Sequence, residues 1–190
     1  GSSSNTKLVP AGKIVFGGSN PSRTLTVTVV PQKNSQNAVI TITAKDSVGA
    51  TATTKVTAIA GTDKKETING TSAADMIFGL NGDDTINAGN GNDLACGGNG
   101  KDVISGGSGA DTLDGANGDD TLRGDAGNDT LRGRNGNDRL EGGADNDTLT
   151  GNAGADFFSG GPGIDNATDF TPSEGDTKDA TLESLSASAV

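Results

Sequence analysis

Apolar side chains follow two different rhythms along this chain. From Gly70 to Thr168 one apolar position recurs every nine residues: Ile77, Ile86, Ala95, Ile104, Leu113, Leu122, Leu131, Leu140, Leu149, Phe158 and Ala167. Between these points lies a fixed polar phrase, as in GLNGDDTIN, AGNGNDLAC and GGNGKDVIS. Counted from the start of each copy, position six is Asp in all eleven: Asp75, Asp84, Asp93, Asp102, Asp111, Asp120, Asp129, Asp138, Asp147, Asp156 and Asp165. Position one is Gly except at Ala88, and position four is Gly except at Ala73 and Asp145. Glycines at this density would ruin a helix, where each costs about 1 kcal/mol relative to Ala, but they permit tight turns of positive φ. Positions seven to nine place one apolar residue between polar neighbours, the period-two mark of a short strand. Nine residues thus predict one turn and one strand. Two copies predict one coil of a flattened solenoid with two parallel sheets, each copy stacking on the copy eighteen residues away at about 4.8 Å. Eleven copies give about five and a half coils.

Position nine offers a check on that register. It carries Asp114, Arg123, Arg132 and Glu141. Eighteen-residue stacking sets Asp114 against Arg132 on one sheet and Arg123 against Glu141 on the other, with Cys96 beside Asp114.

The other rhythm fills residues 1–61, where Gly is sparser and Thr, Val and Ile dominate. Short strands are predicted over Lys13–Phe16, Thr24–Val30, Ala38–Lys45 and Thr51–Ala60, with a turn over Asp46–Gly49. Alternation within them suggests an antiparallel β-sandwich, although about seven strands are usual for one.

Apolar content of 31% and aromatic content of 3% are too lean for an ordinary core. One buried Leu or Ile per nine residues cannot offset the entropy of ordering nine backbones. Stacking also sets Asp above Asp along each edge. A hard divalent cation removes both difficulties, because calcium takes six to eight oxygens from carboxylates and main-chain carbonyls. Bare Gly-rich turns present the carbonyls and position six presents the charge. A Gly/Asn/Asp-rich composition by itself describes a disordered linker. A fixed phase held over the whole array does not follow from composition, and the linker description applies to the chain without calcium. The net charge of −11 argues against nucleic acid and anionic membranes as partners. No apolar run approaches the length of a membrane span.

From Gly70 to Thr168 the chain resembles the RTX, or haemolysin-type, calcium-binding nonapeptide repeat, whose phrase is GGxGxDxUx with U a large apolar residue. The resemblance implies an all-β fold: a right-handed parallel β-roll stapled by several Ca²⁺ ions, each between turns of copies two apart. It implies side-chain ligands from the position-six row, Asp75 through Asp165. It also implies carbonyl ligands from the turns, at Gly79, Asn81, Gly82, Asn90, Gly91, Gly97, Asn99, Gly100, Gly106, Ser108, Gly109, Gly115, Asn117, Gly118, Gly124, Gly127, Gly133, Asn135, Gly136 and Gly142. Such a chain is disordered in low-calcium cytoplasm and folds outside the cell. Within the array, Asp145 alters one site or adds a ligand. Ala73, Ala88 and the bulky position-two residues Leu80, Asp125 and Arg134 depart from the pattern.

Upstream, VITITAKDSVGATATTKVTAI is similar to the closing hairpin of bacterial Ig-like or cadherin-like repeats, and SSNTKLVPAGKIVFGGSNPSRTLTVTV to their middle strands. That similarity implies an incomplete sandwich whose open edge receives a strand from an upstream segment or another chain. A small self-contained sheet capping the solenoid is the alternative. The opening Gly-Ser-Ser-Ser, without Met or signal peptide, reads as a fragment, a processed product or a tag scar.

The predicted organisation is a partial Ig-like module over 1–61, a junction and N-terminal cap over 62–69, the roll over 70–168 and a C-terminal cap over 169–190. In the junction Lys64, Lys65 and Glu66 read as a solvated spacer, and Thr67 and Ile68 as the first strand of the roll. In the tail Phe170 is placed to plug the last coil beside Phe157 and Phe158. The segment also lies where RTX proteins carry an uncleaved signal for type I export, a plain frayed tail being the alternative.

The chain has no His, so nucleophile triads and HExxH sites are excluded, and Gly100-Lys101-Asp102 fails as a phosphate loop. Paired carboxylates can do acid/base work, but a row recurring eleven times suits a ladder of ions. The single Cys96 allows no internal disulfide. The expectation is a non-enzymatic, secreted, cell-surface chain with a structural or adhesive role. Two alternatives stand beside it: the export-and-folding tail of a secreted enzyme or toxin, and a fibre or sheath subunit polymerising by strand addition.

Overall fold

With one apolar side chain per nine residues, this chain can bury its core only by stacking on itself. The computed structural model describes residues 24–31, 37–45, 51–182 and 184–185, and among them every regular element is a strand. Three long strands come first: β1 (Thr24–Pro31), β2 (Asn37–Lys45) and β3 (Thr51–Ala60). The roll follows with β4 (Thr67–Asn69), β5 (Asp75–Asn81), β6 (Thr85–Asn90), β7 (Leu94–Asn99), β8 (Val103–Ser108) and β9 (Thr112–Asn117). It continues through β10 (Thr121–Ala126), β11 (Thr130–Asn135), β12 (Arg139–Ala144), β13 (Thr148–Ala153), β14 (Phe157–Ser159), β15 (Asn166–Ala167), β16 (Thr177–Lys178) and β17 (Ser184–Leu185).

Odd-numbered strands from β3 to β17 form one parallel sheet and even-numbered strands from β4 to β16 the other. The offset is the predicted eighteen residues: Leu122 pairs with Leu140 and Arg123 with Glu141 on one sheet, Leu131 with Leu149 on the other. The solenoid has about seven coils, more than the eleven copies alone supply. Its strands are also longer than predicted. Most run six residues, from position seven through position three of the next copy, as in TLRGDA. The chain stays extended across the position-one Gly, and only that residue drops out of the pairing: Arg123 and Asp125 are paired, Gly124 is not.

The core is a column of the position-eight side chains, Ile77 through Ala167, all fully buried. Ile59 and Ile68 extend it at one end, and Leu182 with the half-buried Phe170 at the other. Phe170 meets Phe158 edge-on, with centroids 5.9 Å apart and planes at 69°, so it closes the last coil as expected.

Strand pairing continues past residues 70 and 168 at both ends. β3 pairs in parallel with β5, Ile59 opposite Ile77, so the last strand of the antiparallel β1–β2–β3 meander is already a rung of the roll. The opening strand at Lys13–Phe16, the turn at 46–49 and the rest of any sandwich lie outside the described residues. Within the junction Lys64 and Lys65 are exposed, as a spacer should be. Glu66 is not a spacer. Its carboxylate accepts from the Thr62 amide at 2.7 Å and the Thr62 hydroxyl at 2.6 Å, and its amide donates to Asp84 Oδ1 at 2.8 Å. GTDKKETIN is one more copy of the phrase, with Glu at position six, and its Ile68 pairs with Ile86. The tail does not leave the stack either. A two-residue insertion makes Phe157 pair with Thr177 at a spacing of twenty, and Asn166 then pairs with Ser184 at eighteen.

Candidate metal centre

Each position-six Asp stands where a turn passes into a strand, and from Asp84 onward the stacking fixes half of its carboxylate. Oδ1 of Asp129 accepts from the amide of Asp111 at 2.8 Å, and Oδ1 of Asp138 accepts from Asp120 at 2.8 Å. The same bond, at 2.7–3.0 Å, links Asp75 to Asp93 and so on to Asp156 with Asp176. The other half is left over. Oδ2 of Asp84, Asp93, Asp102, Asp111, Asp120, Asp129, Asp138, Asp147, Asp156 and Asp165 is buried without any hydrogen-bond partner. Each of these side chains is at most 3% exposed. A buried, half-satisfied carboxylate is costly, and here ten of them lie in two rows.

Position-one glycines face those oxygens. A Cβ at Gly124 would overlap both Oδ2 of Asp129 and the carbonyl oxygen of Gly142, one coil on, and the same holds at Gly79 and Gly142. Gly is required here for space. At positions two and four it is required for backbone: Gly89, Gly91, Gly98 and Gly100 all have φ above +100°. The bulky position-two residues Leu80, Asp125 and Arg134 adopt the same left-handed backbone and turn outward into solvent. Asp145 does likewise at position four, with φ 80°, and is exposed.

The implied carbonyl ligands divide into groups. Those of Gly97, Gly124, Gly133 and Gly142 border the space around the unpartnered Oδ2 atoms. Those of Asn99, Ser108, Asn117 and Asn135 already accept the amides of Gly82, Gly91, Gly100 and Gly118 at 2.8–2.9 Å. Position-four glycines stack carbonyl under Cα, Gly82 beneath Gly100 and Gly91 beneath Gly109.

Three features escaped the sequence reading. Position-five side chains form their own ladder in the opposite direction: Asn137 accepts from the Ala155 amide at 2.9 Å and Asp119 from that of Asn137 at 2.9 Å. Side chains of Asn81, Asn99, Asn117 and Asn135 bond one to the next at 2.6–2.9 Å along one edge. Asp176 takes the position-six role beyond the insertion. A search for Asn or Asp recurring at eighteen residues would have found the first two.

Burial dominates the electrostatics of the position-six row. Burial pushes the Asp120 and Asp129 carboxyls up to about 7, and Asp93, Asp138, Asp147 and Asp156 up to about 6. The main-chain hydrogen bond to Oδ1 opposes the shift, and neighbouring carboxylates add to it. Asp84, Asp102 and Asp111 are raised for the same leading reason. Among the described residues no three Asp, Glu, His or Cys side chains converge. A cation held here takes carboxylate charge together with main-chain oxygens, and that donor set suits calcium.

On the outer faces Arg123 pairs with Glu141 at 2.8 Å, as the register predicted. Asp114 lies opposite Arg132 and Cys96 in the sheet, but its ion pair is with Arg134, at 2.8 Å from Nη2 and 3.0 Å from Nε. Arg132 and Arg134 share one face of β11, and the position-two side chain reaches back diagonally across the sheet. Among the described residues no helix is long and apolar enough to cross a membrane.

A comparison with curated proteins found no match. A family model described as the RTX calcium-binding nonapeptide repeat, written as four copies, matches residues 60–95, 97–131 and 132–167. The first match begins ahead of Gly70, where the additional Glu66 copy is found. Stacked nonapeptides, buried carboxylates in register and a family match over more than half its length place this chain in the family of RTX calcium-binding nonapeptide-repeat proteins.

Proposed function

We propose that this chain is a structural and adhesive segment of a secreted bacterial surface protein, folded by extracellular calcium. The observation that carries the calcium part is the set of ten buried Oδ2 atoms without hydrogen-bond partners. The position-six Asp side chains and the turn carbonyls beside them hold the ions. Calcium supplies the positive charge that these oxygens lack. Until it binds, the carboxylates repel and the apolar column is too thin to order the chain, so binding free energy becomes folding free energy. Extracellular calcium modules bind at about 10⁻⁴–10⁻³ M, a range that keeps such a chain unfolded in the cytoplasm and folds it after export.

The surface role is supported by the β1–β3 meander, which runs into the roll as one sheet and resembles tandem surface modules. β1 is the outermost described strand of that sheet. A strand from an upstream segment or a second copy adds there.

Circular dichroism with a calcium titration and a chelator tests the switch. β-structure should appear with calcium and vanish with chelator; a spectrum indifferent to both overturns it. Immunolabelling of intact cells producing the full-length protein tests the surface placement, which signal confined to the cytoplasm overturns.

A further inference from the structure

Turns of the roll fall into two geometrical classes, separated by the residue at position two. From Leu80 to Gly161 that residue has positive φ in every copy, whether or not it is Gly: Leu80 81°, Ala116 78°, Arg134 84°, Asn152 69°. These are the same copies in which the oxygen facing the position-one residue, Oδ2 of Asp84 through Asp165, has no hydrogen-bond partner. The two N-terminal turns carry Thr62 and Thr71 there instead, and beyond the insertion Thr171 stands five residues ahead of Asp176; none of the three has positive φ.

Each of these Thr residues closes the carboxylate of its own turn. The Thr62 amide and hydroxyl donate to Glu66 at 2.7 and 2.6 Å. The Thr71 amide and hydroxyl both donate to Asp75 Oδ2, at 2.5 and 2.8 Å. The Thr171 amide donates to Asp176 Oδ2 at 2.7 Å, while Oδ1 of Asp176 takes the Asp156 amide. Asp75 keeps one unpartnered oxygen, Oδ1, but the oxygen on the side of Gly70 is Oδ2, the one Thr71 closes. The physical cause is the β-branch. Left-handed backbone is strongly disfavoured for Thr, so the chain enters the turn without positive φ and its amide donates to the carboxylate. The oxygen left open in the ten inner turns is then filled by N–H and O–H donors, whose positive ends repel a cation.

We infer that a Thr that closes the carboxylate of its own turn, at position two as in Thr62 and Thr71 or five residues ahead of that carboxylate as in Thr171, is an ion-excluding residue. Thr62, Thr71 and Thr171 make calcium-free caps at the two ends, and calcium is confined to the ten turns from Asp84 to Asp165 whose position-two residue is left-handed. The inference rests on the calcium reading above. It removes Asp75 from the ligand row and gives the roll two ends that close without metal.

The test counts bound ions by equilibrium dialysis against radioactive calcium, with circular dichroism to confirm the calcium-saturated fold, on the full chain. Leu80→Thr and Ala116→Thr should each bind one ion fewer than wild type, and Thr71→Gly one more. A count unchanged from wild type in any folded variant overturns the inference. Should the two Thr insertions fail to fold, Thr71→Gly decides by itself, since relaxing an end turn leaves the inner coils untouched. A wild-type chain that binds no calcium fails the underlying reading instead, and is distinguished from failure of the inference by that first measurement.

Discussion

The main-chain amide of Asp111 donates to Oδ1 of Asp129 at 2.8 Å, and Oδ2 of that same carboxylate receives nothing. One side chain thus ties two coils together and presents an unbalanced charge. Substitution separates the two roles. Asp129→Asn keeps an oxygen for the Asp111 amide and removes the charge, so the stack should survive with a higher calcium midpoint. Asp129→Ala also leaves the amide unpaired, at a further cost of about 1–3 kcal/mol. Thermal melts in saturating calcium should rank wild type above Asn and Asn above Ala. Equal melting of the two variants would show that the Oδ1 bond contributes nothing.

Acid should favour the metal-free roll. Burial raises Asp120 and Asp129 to about 7 and Asp93, Asp138, Asp147 and Asp156 to about 6, against about 3.9 in an unfolded chain. Between those values the folded chain binds more protons than the unfolded one, so its stability falls as pH rises. The contribution is complete below about 4 and is lost as pH climbs through 6 to 7. In chelator, β-structure should therefore grow as pH is lowered from 8 to 5. Calcium competes with the same protons, and its midpoint should move to higher concentration over that interval. Titrations followed by circular dichroism at fixed pH check both. An apparent calcium affinity that rises in acid contradicts the assignment.

In most copies position one has no room for a side chain beside the carboxylate of its turn. A Cβ at Gly124 would overlap Asp129 Oδ2 and the Gly142 carbonyl. Gly124→Ala should lower the calcium-saturated melting temperature, by the roughly 1–3 kcal/mol typical of overpacking, and weaken calcium binding. Ala88 occupies the same position in an early copy and is fully buried in the core column. Ala88→Gly should accordingly cost apolar contact and leave the calcium midpoint in place. Scanning calorimetry with a parallel calcium titration separates the two responses.

The coil was legible because its determinants repeat. The phase of Asp and of the position-eight residue sets the eighteen-residue register, and nothing in tertiary structure competes with it over Ile86 to Leu149. Reading failed where the repetition does. Glu66 is one methylene longer than Asp and reads as solvated, although Thr62 holds it in the position-six role. Asp176 sits two residues late, so a strict nine-residue count lands on the exposed Glu174. The third gap is conformational: glycine density suggests positive φ throughout, whereas at position one Gly makes room for an oxygen. No composition distinguishes those two needs. Only the stacked neighbour does.

Asp114 reveals how far a register argument reaches. The pairing of Cα positions sets it opposite Arg132, yet its carboxylate bonds Arg134, two residues further along the same face. That ion pair also raises the Arg134 guanidinium, chiefly through its hydrogen bond to Asp114. Arg134 is 49% exposed and Asp114 only 18%, so water and salt reach the pair from one side. Exposed pairs of this kind contribute roughly 0.2–1 kcal/mol. A double-mutant cycle of Asp114→Ala with Arg134→Ala should show coupling in that range, while Asp114→Ala with Arg132→Ala should show none. Both are read from melting in saturating calcium at low and high ionic strength, where salt should erase the Arg134 coupling. Coupling that appears with Arg132 would mean that the facing position, and not the diagonal one, carries the bond in solution.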